Sequence, residues 1–388
     1  QQLKAVGNAE LASQLLYVDA GAEIGQQAIS LQGPISASNI NTTGNLATVK
    51  TYFVSPYLLR AIGSTAQATA RFTHSVWDSN ETSTSGLSNS TAERVNLLLA
   101  SGPVFKLLTW DVAYSKENVD YENQPGTNSE VILATARRLI TPTVGVLAQV
   151  GYENYDYGVQ SSEGSRWSTG LDWTPSARTR LAATLGERSF GRAYSLDFRH
   201  RTRLTAWSAG YSEDITGARS ESFVPSTAST AGYLDPLFLS SDPDPADRQK
   251  AVDKFIAQTG LPQSLGAPVN FSSSQLFLAK RWRASSSLLG SRNVLIANAY
   301  WESRGVPPGT ATQPNTGDFA TSNIIRQSGL DLAWNLRLTP QDTWNLGASY
   351  SRIDYVEINQ TDYLNTFRMG LTRQFQPRVS GSLYYRRQ

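Results

Sequence analysis

The clearest pattern in the chain is an alternation of apolar and polar residues between positions 322 and 351. Large apolar residues occupy one parity, and small or polar residues occupy the other. The two sets are Leu330, Leu332, Trp334, Leu336 and Leu338 against Gly329, Asp331, Ala333, Asn335 and Arg337. Because successive side chains of a strand point to opposite faces, the pattern predicts a strand with a different solvent on each face. The alternation resumes after a turn at 339–342, which predicts a hairpin.

Similar segments of about ten residues recur along the chain, and they predict about seventeen strands between residue 15 and the end. Their connections alternate between short turns, several of which contain proline, and longer loops rich in Ser, Thr, Asn and Gly. One exception falls at Phe190-Gly191, where a long loop is expected. Outer-membrane barrels have short periplasmic turns and long outer loops, whereas a soluble β-sandwich has no reason to sort its loops in this way. The loop pattern therefore favours the barrel.

The predicted fold is an all-β, antiparallel transmembrane β-barrel of the outer-membrane type with about 16–18 strands. It forms a single domain over residues 1–388, and the connection at 214–272 is a long outer-loop insertion. The alternation of loops places the N-terminus on the short-turn side, so the last strand, Val379 to Arg387, ends on the outer side. Bacterial barrels normally have an even number of strands. One closing C-terminal strand is therefore expected to be absent from this chain.

Composition agrees with an extracytoplasmic barrel. The chain has no cysteine, nine tryptophans and seventeen tyrosines, which fits a protein without disulfides or thiol-bound metals. The mean hydropathy of −0.33 is compatible with a membrane barrel. Apolar and polar residues alternate along barrel strands, so their average hydropathy resembles that of a soluble protein. A net charge of +2 gives no indication of nucleic-acid binding. No cofactor and no metal site are predicted.

Several segments give the chain a family resemblance. They are Tyr52–Gly63 (YFVSPYLLRAIG), Leu185–Arg201 (LGERSFGRAYSLDFRHR), Gln26–Pro34, Gly151–Asp156, Gly170–Pro175 and Trp207–Glu213. In their order and spacing the chain resembles outer-membrane proteins associated with the PEP-CTERM/exosortase system of exopolysaccharide-producing Gram-negative bacteria. The resemblance implies a bacterial outer-membrane location near polysaccharide-export and sorting functions. It transfers no catalytic or ligand residue.

Two sets of side chains are candidates for barrel functions. The first comprises tryptophans expected to anchor the barrel at the lipid headgroups: Trp110, Trp167, Trp173, Trp334 and Trp344. The second comprises charges on the polar parity, which should face a water-filled lumen: Asp172, Arg180, Arg188, Asp197, Arg199, Asp331, Arg337 and Arg368. These charges would form either a selectivity ring for anionic solutes or a mutually paired ladder that holds the wall, and their mixed signs favour the ladder. For the strand near 273–284, the sequence does not show which face points to the lumen. Lys280 and Arg281 are consecutive, so one charge lies on each face.

The long insertion contains a predicted helix. Asp244 and Pro245 are typical of an N-cap followed by a first-turn proline, and Gly260 is typical of a helix end. Val252, Phe255 and Ile256 would form an apolar stripe between these ends. The helix would fold into the pore mouth as a constriction or plug, lie over the outer rim as a cap, or dock a partner, and the sequence does not choose between these positions.

Catalysis has little support in the sequence, so no enzyme activity is predicted. The chain has two histidines, His74 and His200, and Ser75 follows His74 directly. Adjacent strand residues point to opposite faces and cannot form a dyad.

Three functions remain. The leading one is a polar-lined conduit associated with export of exopolysaccharide or surface proteins. The alternatives are a general diffusion porin and a non-conducting barrel that docks a surface assembly. The expected partners are outer-membrane lipid and either a polysaccharide or an export partner.

Overall fold

The computed structural model describes residues 3–33, 44–80, 88–156, 161–217, 219, 229–263, 265, 275–308, 317–376 and 379–388. These residues form eighteen strands in one sheet. In chain order the strands β1–β18 are Leu3–Ala12, Leu16–Ala28, Leu46–Ile62, Ala66–Ser79, Ser90–Ser101, Leu108–Tyr121, Thr127–Thr141, Val144–Asp156, Ser161–Ser176, Thr179–Arg188, Gly191–Arg201, Thr205–Gly217, Leu276–Leu289, Asn293–Gly305, Ile324–Arg337, Asp342–Tyr355, Gln360–Gln376 and Val379–Arg387. Each strand pairs antiparallel with the strand that follows it in the chain.

The sheet curls into a barrel, as contacts between distant strands show. Arg219, just after β12, donates hydrogen bonds to the carbonyl oxygens of Ser75 in β4 and Ser90 in β5. On another side, Leu31 after β2 packs with Phe319, which lies between β14 and β15. A flat meander of eighteen strands would keep these residues far apart. The predicted all-β barrel fold is therefore confirmed.

Side-chain parity separates the two faces of the barrel wall. In β15, Leu330 is 48% exposed on the outside, whereas the adjacent Asp331 is 3% exposed on the inside. In β13, Arg281 and Arg283 lie on the inner parity with Ser287, and Lys280 lies on the outer parity with Trp282. The strand that the sequence could not orient thus follows the same rule.

The two ends of the barrel differ. The connections of one end have two to six residues, whereas the other end has the long connections 29–45, 218–275 and 306–323. We call these ends the short-turn end and the long-loop end. The two-residue connection at Ser189-Phe190, on the long-loop end, is the exception that the sequence predicts. The connections 122–126, 157–160 and 356–359 of the same end are also short, with four or five residues.

The N-terminal expectation was wrong. The sequence places the first strand near residue 15 and the N-terminus on the short-turn side. The structure has an earlier strand, Leu3–Ala12, that runs from the long-loop end towards the short-turn end. Its outward parity includes Ala5, Gly7 and Ala9, which are too small for a clear alternation in hydrophobicity.

The insertion contains two helices, α1 (Thr230–Phe238) and α2 (Pro245–Thr259), and a short 3₁₀ turn follows at Gly317–Ala320. Helix α2 is the helix that the capping pattern predicts. In the part of the chain that the structure describes, neither α1 nor α2 is long and apolar enough to cross a membrane. Residues 218, 220–228, 264 and 266–274 of the predicted insertion lie outside the described residues.

The outward face carries a belt of exposed large apolar side chains. Members include Leu58, Phe72, Leu97, Ile132, Val150, Leu171, Leu185, Leu330 and Phe367. Soluble monomers rarely expose a continuous apolar surface of this extent, because its contact with water costs free energy. Lipid is the solvent that matches this surface, so the protein is an integral β-barrel of the bacterial outer membrane.

Candidate functional site: the occupied lumen

The lumen contains part of the insertion. Residues 229–263, which we call the lumen hairpin, comprise α1, α2 and the turn between them. Ser229 caps α1 by accepting a hydrogen bond from the Gly232 backbone nitrogen. Asp244 caps α2 by accepting bonds from the backbone nitrogens of Ala246 and Asp247 at 2.9 and 3.0 Å. Helix α2 ends at Gly260, whose φ of 70° lies in the left-handed region that favours glycine.

The two helices hold each other. Arg248 of α2 donates to the Asp235 carboxylate of α1 at 2.7 Å, and it also donates to the carbonyl oxygens of Asp242 and Pro243. The rings of Phe238 and Phe255 meet edge to face with centroids 5.4 Å apart. These contacts make the lumen hairpin a unit with its own internal packing.

An apolar cluster joins the lumen hairpin to the barrel wall. Leu234 and Val252 are fully buried, and Ile256 is nearly so. They pack with wall residues Val294, Ile296 and Ala333, which have inward-facing parity on β14 and β15. Water-filled lumens are lined by polar side chains, so this apolar patch on the inner wall indicates a surface built to receive another apolar surface. Phe255, the third residue of the predicted stripe, is partly buried against the same cluster.

Polar contacts fix the lumen hairpin at three further points. Asn335 donates to the carbonyl oxygen of Thr259 at 2.6 Å, and Ser287 donates to the carbonyl oxygen of Tyr233 at 2.9 Å. Arg201 donates to the carbonyl oxygen of Pro236 at 3.1 Å. Burial raises the pKa of Tyr233 to about 12.

These contacts place the lumen hairpin near the short-turn end. Arg201 is the last residue of β11, Ser287 is two residues from the end of β13, and Val294 is the second residue of β14. The insertion nevertheless connects β12 and β13 at the long-loop end. The chain therefore runs down the lumen to reach this position. The structure thus places the predicted helix inside the barrel and not on the outer rim.

A buried charge network lies on the inner wall near the long-loop end. The Glu153 carboxylate has no exposed surface and accepts hydrogen bonds from Arg188 at 2.9 Å and Arg166 at 3.3 Å. Arg188 also contacts Asp214 at 2.9 Å. The Ser189 hydroxyl and backbone nitrogen each donate to Glu153 at 2.8 Å. The network ties β8, β9, β10 and β12 together where the β10–β11 hairpin is shortest.

The other predicted lumen charges also have inward-facing parity. Asp172 pairs with Arg180 at 2.8 Å, and Asp197 pairs with Arg199 at 3.0 Å. These pairs are partly exposed and contribute little stability. Asp331 is buried beside the lumen hairpin, and Arg337 lies at the end of β15. Arg368 lies on β17 opposite Gly347. The ladder and the selectivity ring both stay predictions.

Sequence reasoning missed Arg219. This residue is buried inside the barrel, and it donates to the hydroxyl and carbonyl oxygens of Ser75 and Ser90. Desolvation lowers its pKa to about 10. The residue lies in a loop segment rich in small and polar residues, so no periodicity marks it.

The predicted tryptophan anchors have outward-facing parity. Trp110 and Trp344 are the third residues of β6 and β16, and Trp173 and Trp334 are the fourth from the ends of β9 and β15. All four therefore lie near the short-turn end, where an interfacial girdle would sit. Trp167 lies further towards the long-loop end. Elsewhere on the wall, His74 lies 3.8 Å from Glu93 on the outer face, and Ser75 is buried on the inner face.

Comparisons with known proteins add a general likeness. No protein-family model and no curated protein matches the chain. Among solved structures, the chain is similar to the ferric-catecholate import receptor Fiu of E. coli K12, with 9% identity over 99% of this chain and 68% of that one, and a TM-score of 0.48. It is also similar to the siderophore receptor PirA of Acinetobacter baumannii, with 10% identity, 99% and 70% coverage, and a TM-score of 0.44. The FrpB iron transporter of Neisseria meningitidis gives 10% identity, 99% and 60% coverage, and a TM-score of 0.44.

Proposed function

We propose that the protein is a gated outer-membrane conduit, and that the lumen hairpin holds it closed. One observation carries the proposal: an amphipathic helical pair in the lumen packs on an apolar patch of the inner wall near the short-turn end. A steadily open diffusion porin has no use for such a patch. The attachment uses one apolar cluster and a few hydrogen bonds, so release requires no strand of the wall to break.

The proposed cargo is an exopolysaccharide or a surface protein on its way out of the cell. This part rests on the resemblance to the PEP-CTERM/exosortase-associated proteins. A lumen lined by paired charges and small polar residues suits a polymer, because weak and repeated contacts let it slide. We also propose that the protein is not an enzyme.

The second candidate is a non-conducting docking barrel. The interlocked contacts of Leu31, Phe277 and Phe319 at the long-loop end favour it, since they stiffen an outer surface that a partner could cover. A docking barrel predicts silence in a bilayer whether or not the lumen hairpin is present.

Single-channel conductance in a planar bilayer separates these functions. The full-length protein is compared with a variant in which residues 230–263 are replaced by a short Gly/Ser linker. A gated conduit gives rare openings in the intact protein and large, steady conductance in the variant. Steady conductance in the intact protein would support the porin, and silence in both would support the docking barrel.

A cross-linking experiment tests whether the lumen hairpin must leave the wall. The chain has no cysteine, so cysteine pairs can be introduced without background. Tyr233→Cys with Ser287→Cys joins the lumen hairpin to the wall when treated with a short cleavable bis-maleimide. Asp235→Cys with Arg248→Cys joins α1 to α2 within the lumen hairpin and serves as the matched control. Cross-linking should abolish openings only in the first pair, and cleavage of the linker should restore them.

A further inference from the structure

Two arginines on the inner wall face each other beside the lumen hairpin. Arg368 of β17 lies directly opposite Arg386 of β18 in the ladder. Both share the inward parity of Gly370, which lies opposite Asn345. Like charges at directly opposite positions destabilise a strand pair, so their presence here calls for a compensating role.

The guanidinium groups of Arg368 and Arg386 differ from those of other arginines on the inner wall. Arg71 pairs with Asp19 at 2.7 Å, and Arg180 pairs with Asp172 at 2.8 Å. Among the ion pairs and hydrogen bonds of the described residues, none involves the side chain of Arg368 or Arg386. Both side chains are exposed to the lumen. The Asp331 carboxylate of β15 attracts the Arg368 guanidinium, but neither an ion pair nor a hydrogen bond joins the two, so both arginines present charged donors that a ligand can use.

An open aromatic ring adjoins the arginine pair. Tyr384 lies two residues before Arg386 on the same face of β18, and it is 67% exposed. Its ring crosses Gly370, where an added β carbon would come within 2.7 Å of the ring atom Cε1. A glycine at 370 thus leaves room for the ring to lie over the wall, where most of its surface is exposed.

The same patch reaches the end of α2. Asn345 lies opposite Gly370, and a β carbon at Gly260 would be 3.0 Å from the Asn345 side-chain nitrogen. Arg368 lies opposite Gly347, and Gly347 lies opposite Ala333 in the apolar cluster. A ligand on this patch would therefore touch or adjoin the lumen hairpin.

We propose that Arg368, Tyr384 and Arg386 form a lumen binding site for acidic saccharide units. A guanidinium group pairs with a carboxylate through two parallel hydrogen bonds. The apolar C–H face of a sugar ring stacks on an aromatic face such as that of Tyr384. Together the three side chains select a ring that carries a carboxylate. This inference rests on the proposed conduit function and names its substrate class.

Equilibrium binding tests the site. The probe is an oligogalacturonate, titrated calorimetrically into the full-length protein in detergent at low salt. Arg386→Gln should weaken binding about tenfold or more, since a hydrogen bond to a charged group is worth about that factor. Arg387→Gln is the matched control, because Arg387 is the next residue along the strand and has outward parity. Tyr384→Leu should weaken binding, and Tyr385→Leu should leave it unchanged.

The second part of the experiment tests whether the site prefers acidic sugars. A neutral maltooligosaccharide of the same length should bind at least about tenfold more weakly than the oligogalacturonate. The proposal is overturned if the wild type does not bind, if Arg386→Gln and Arg387→Gln behave alike, or if the neutral sugar binds equally. Polyglutamate that binds as tightly as the sugar and ignores Tyr384→Leu would also overturn it in favour of an acidic peptide site.

Two controls separate the binding result from effects on folding and on gating. Each variant is first required to show the same heat-dependent shift in gel mobility as the wild type. Binding in detergent needs no open pore, so a failure of the gating experiments leaves the binding result interpretable. Conversely, absent binding leaves the conductance of the hairpin-replacement variant as an independent test of the conduit.

Discussion

At the scale of single residues, buried charges on the inner wall form networks in which each charged group has several partners. Glu153 accepts hydrogen bonds from two arginines and from Ser189, and Arg188 is almost as buried as its partner. A buried pair of this kind adds little compared with an apolar pair, yet removal of one partner leaves a buried charge without compensation. The parity of Arg188 could be predicted from the alternation. Its partners could not, because they come from strands 35 and 26 residues away in the chain.

Glu153→Gln should therefore destabilise the barrel by at most about 3–5 kcal/mol, since Arg166 and Arg188 both lose this carboxylate and Arg188 keeps only the contact with Asp214. The measurement is the denaturant midpoint of the folded, fast-migrating band on an unheated gel. Glu163→Gln is the control, because Glu163 is exposed near the same end of the barrel. Equal midpoints for the two variants would contradict the role given to the network.

Tyr233 gives the lumen hairpin a pH dependence. Burial raises its pKa to about 12 from an ordinary value of about 10. The released hairpin exposes the phenol, which loses its proton above pH 10, whereas the docked phenol keeps it until pH 12. The docked state therefore loses about 2–3 kcal/mol as pH rises through this interval. Open probability should rise between pH 10 and 12 in the wild type and less in Tyr233→Phe, with Tyr350→Phe as the control. Identical pH profiles for wild type and Tyr233→Phe would refute this.

At the scale of elements, helix α2 was predictable and its location was not. Asp244, Pro245 and Gly260 are local signals, and the structure uses each of them as the sequence predicts. The stripe of Val252, Phe255 and Ile256 shows only that one face is apolar. Its partner is the inner wall, where Val294, Ile296 and Ala333 replace the polar residues expected in a lumen. Helix α1 carries Pro236 and no acidic residue in its first turn, so it lacks the local signals that mark a helix.

Leu234→Ala should weaken docking of the lumen hairpin and raise its open probability. Truncation of a fully buried leucine typically costs about 2–5 kcal/mol, and here the cost falls on the docked state. Single-channel recording measures the effect. Lys254→Ala, at an exposed position of α2, should leave gating unchanged. If Leu234→Ala gates like the wild type, the apolar cluster does not hold the channel closed.

At the scale of the whole molecule, alternation predicted the barrel because lipid and lumen impose opposite demands on neighbouring residues. The prediction failed at β1, where small residues blur the two faces. A separate rule predicts the orientation: long loops of bacterial barrels face outward, and short turns face the periplasm. By this rule we expect the turn between α1 and α2 to lie at the periplasmic mouth, although it belongs to an outer connection.

Cysteine labelling tests this arrangement in whole cells. Asn123→Cys, in the connection between β6 and β7, should react with a large membrane-impermeant maleimide on intact cells. Ala177→Cys, in the turn between β9 and β10, should react only after the outer membrane is opened. Ser241→Cys belongs to the connection between β12 and β13, yet it should behave like Ala177→Cys, because Arg201 at the short-turn end contacts the neighbouring Ser240. Reaction of Ser241→Cys on intact cells would place the lumen hairpin outside and make it a cap. Protection until the membrane is opened means that the outer loop reaches the periplasmic side, which is the position from which a gate can sense a partner or polymer before export.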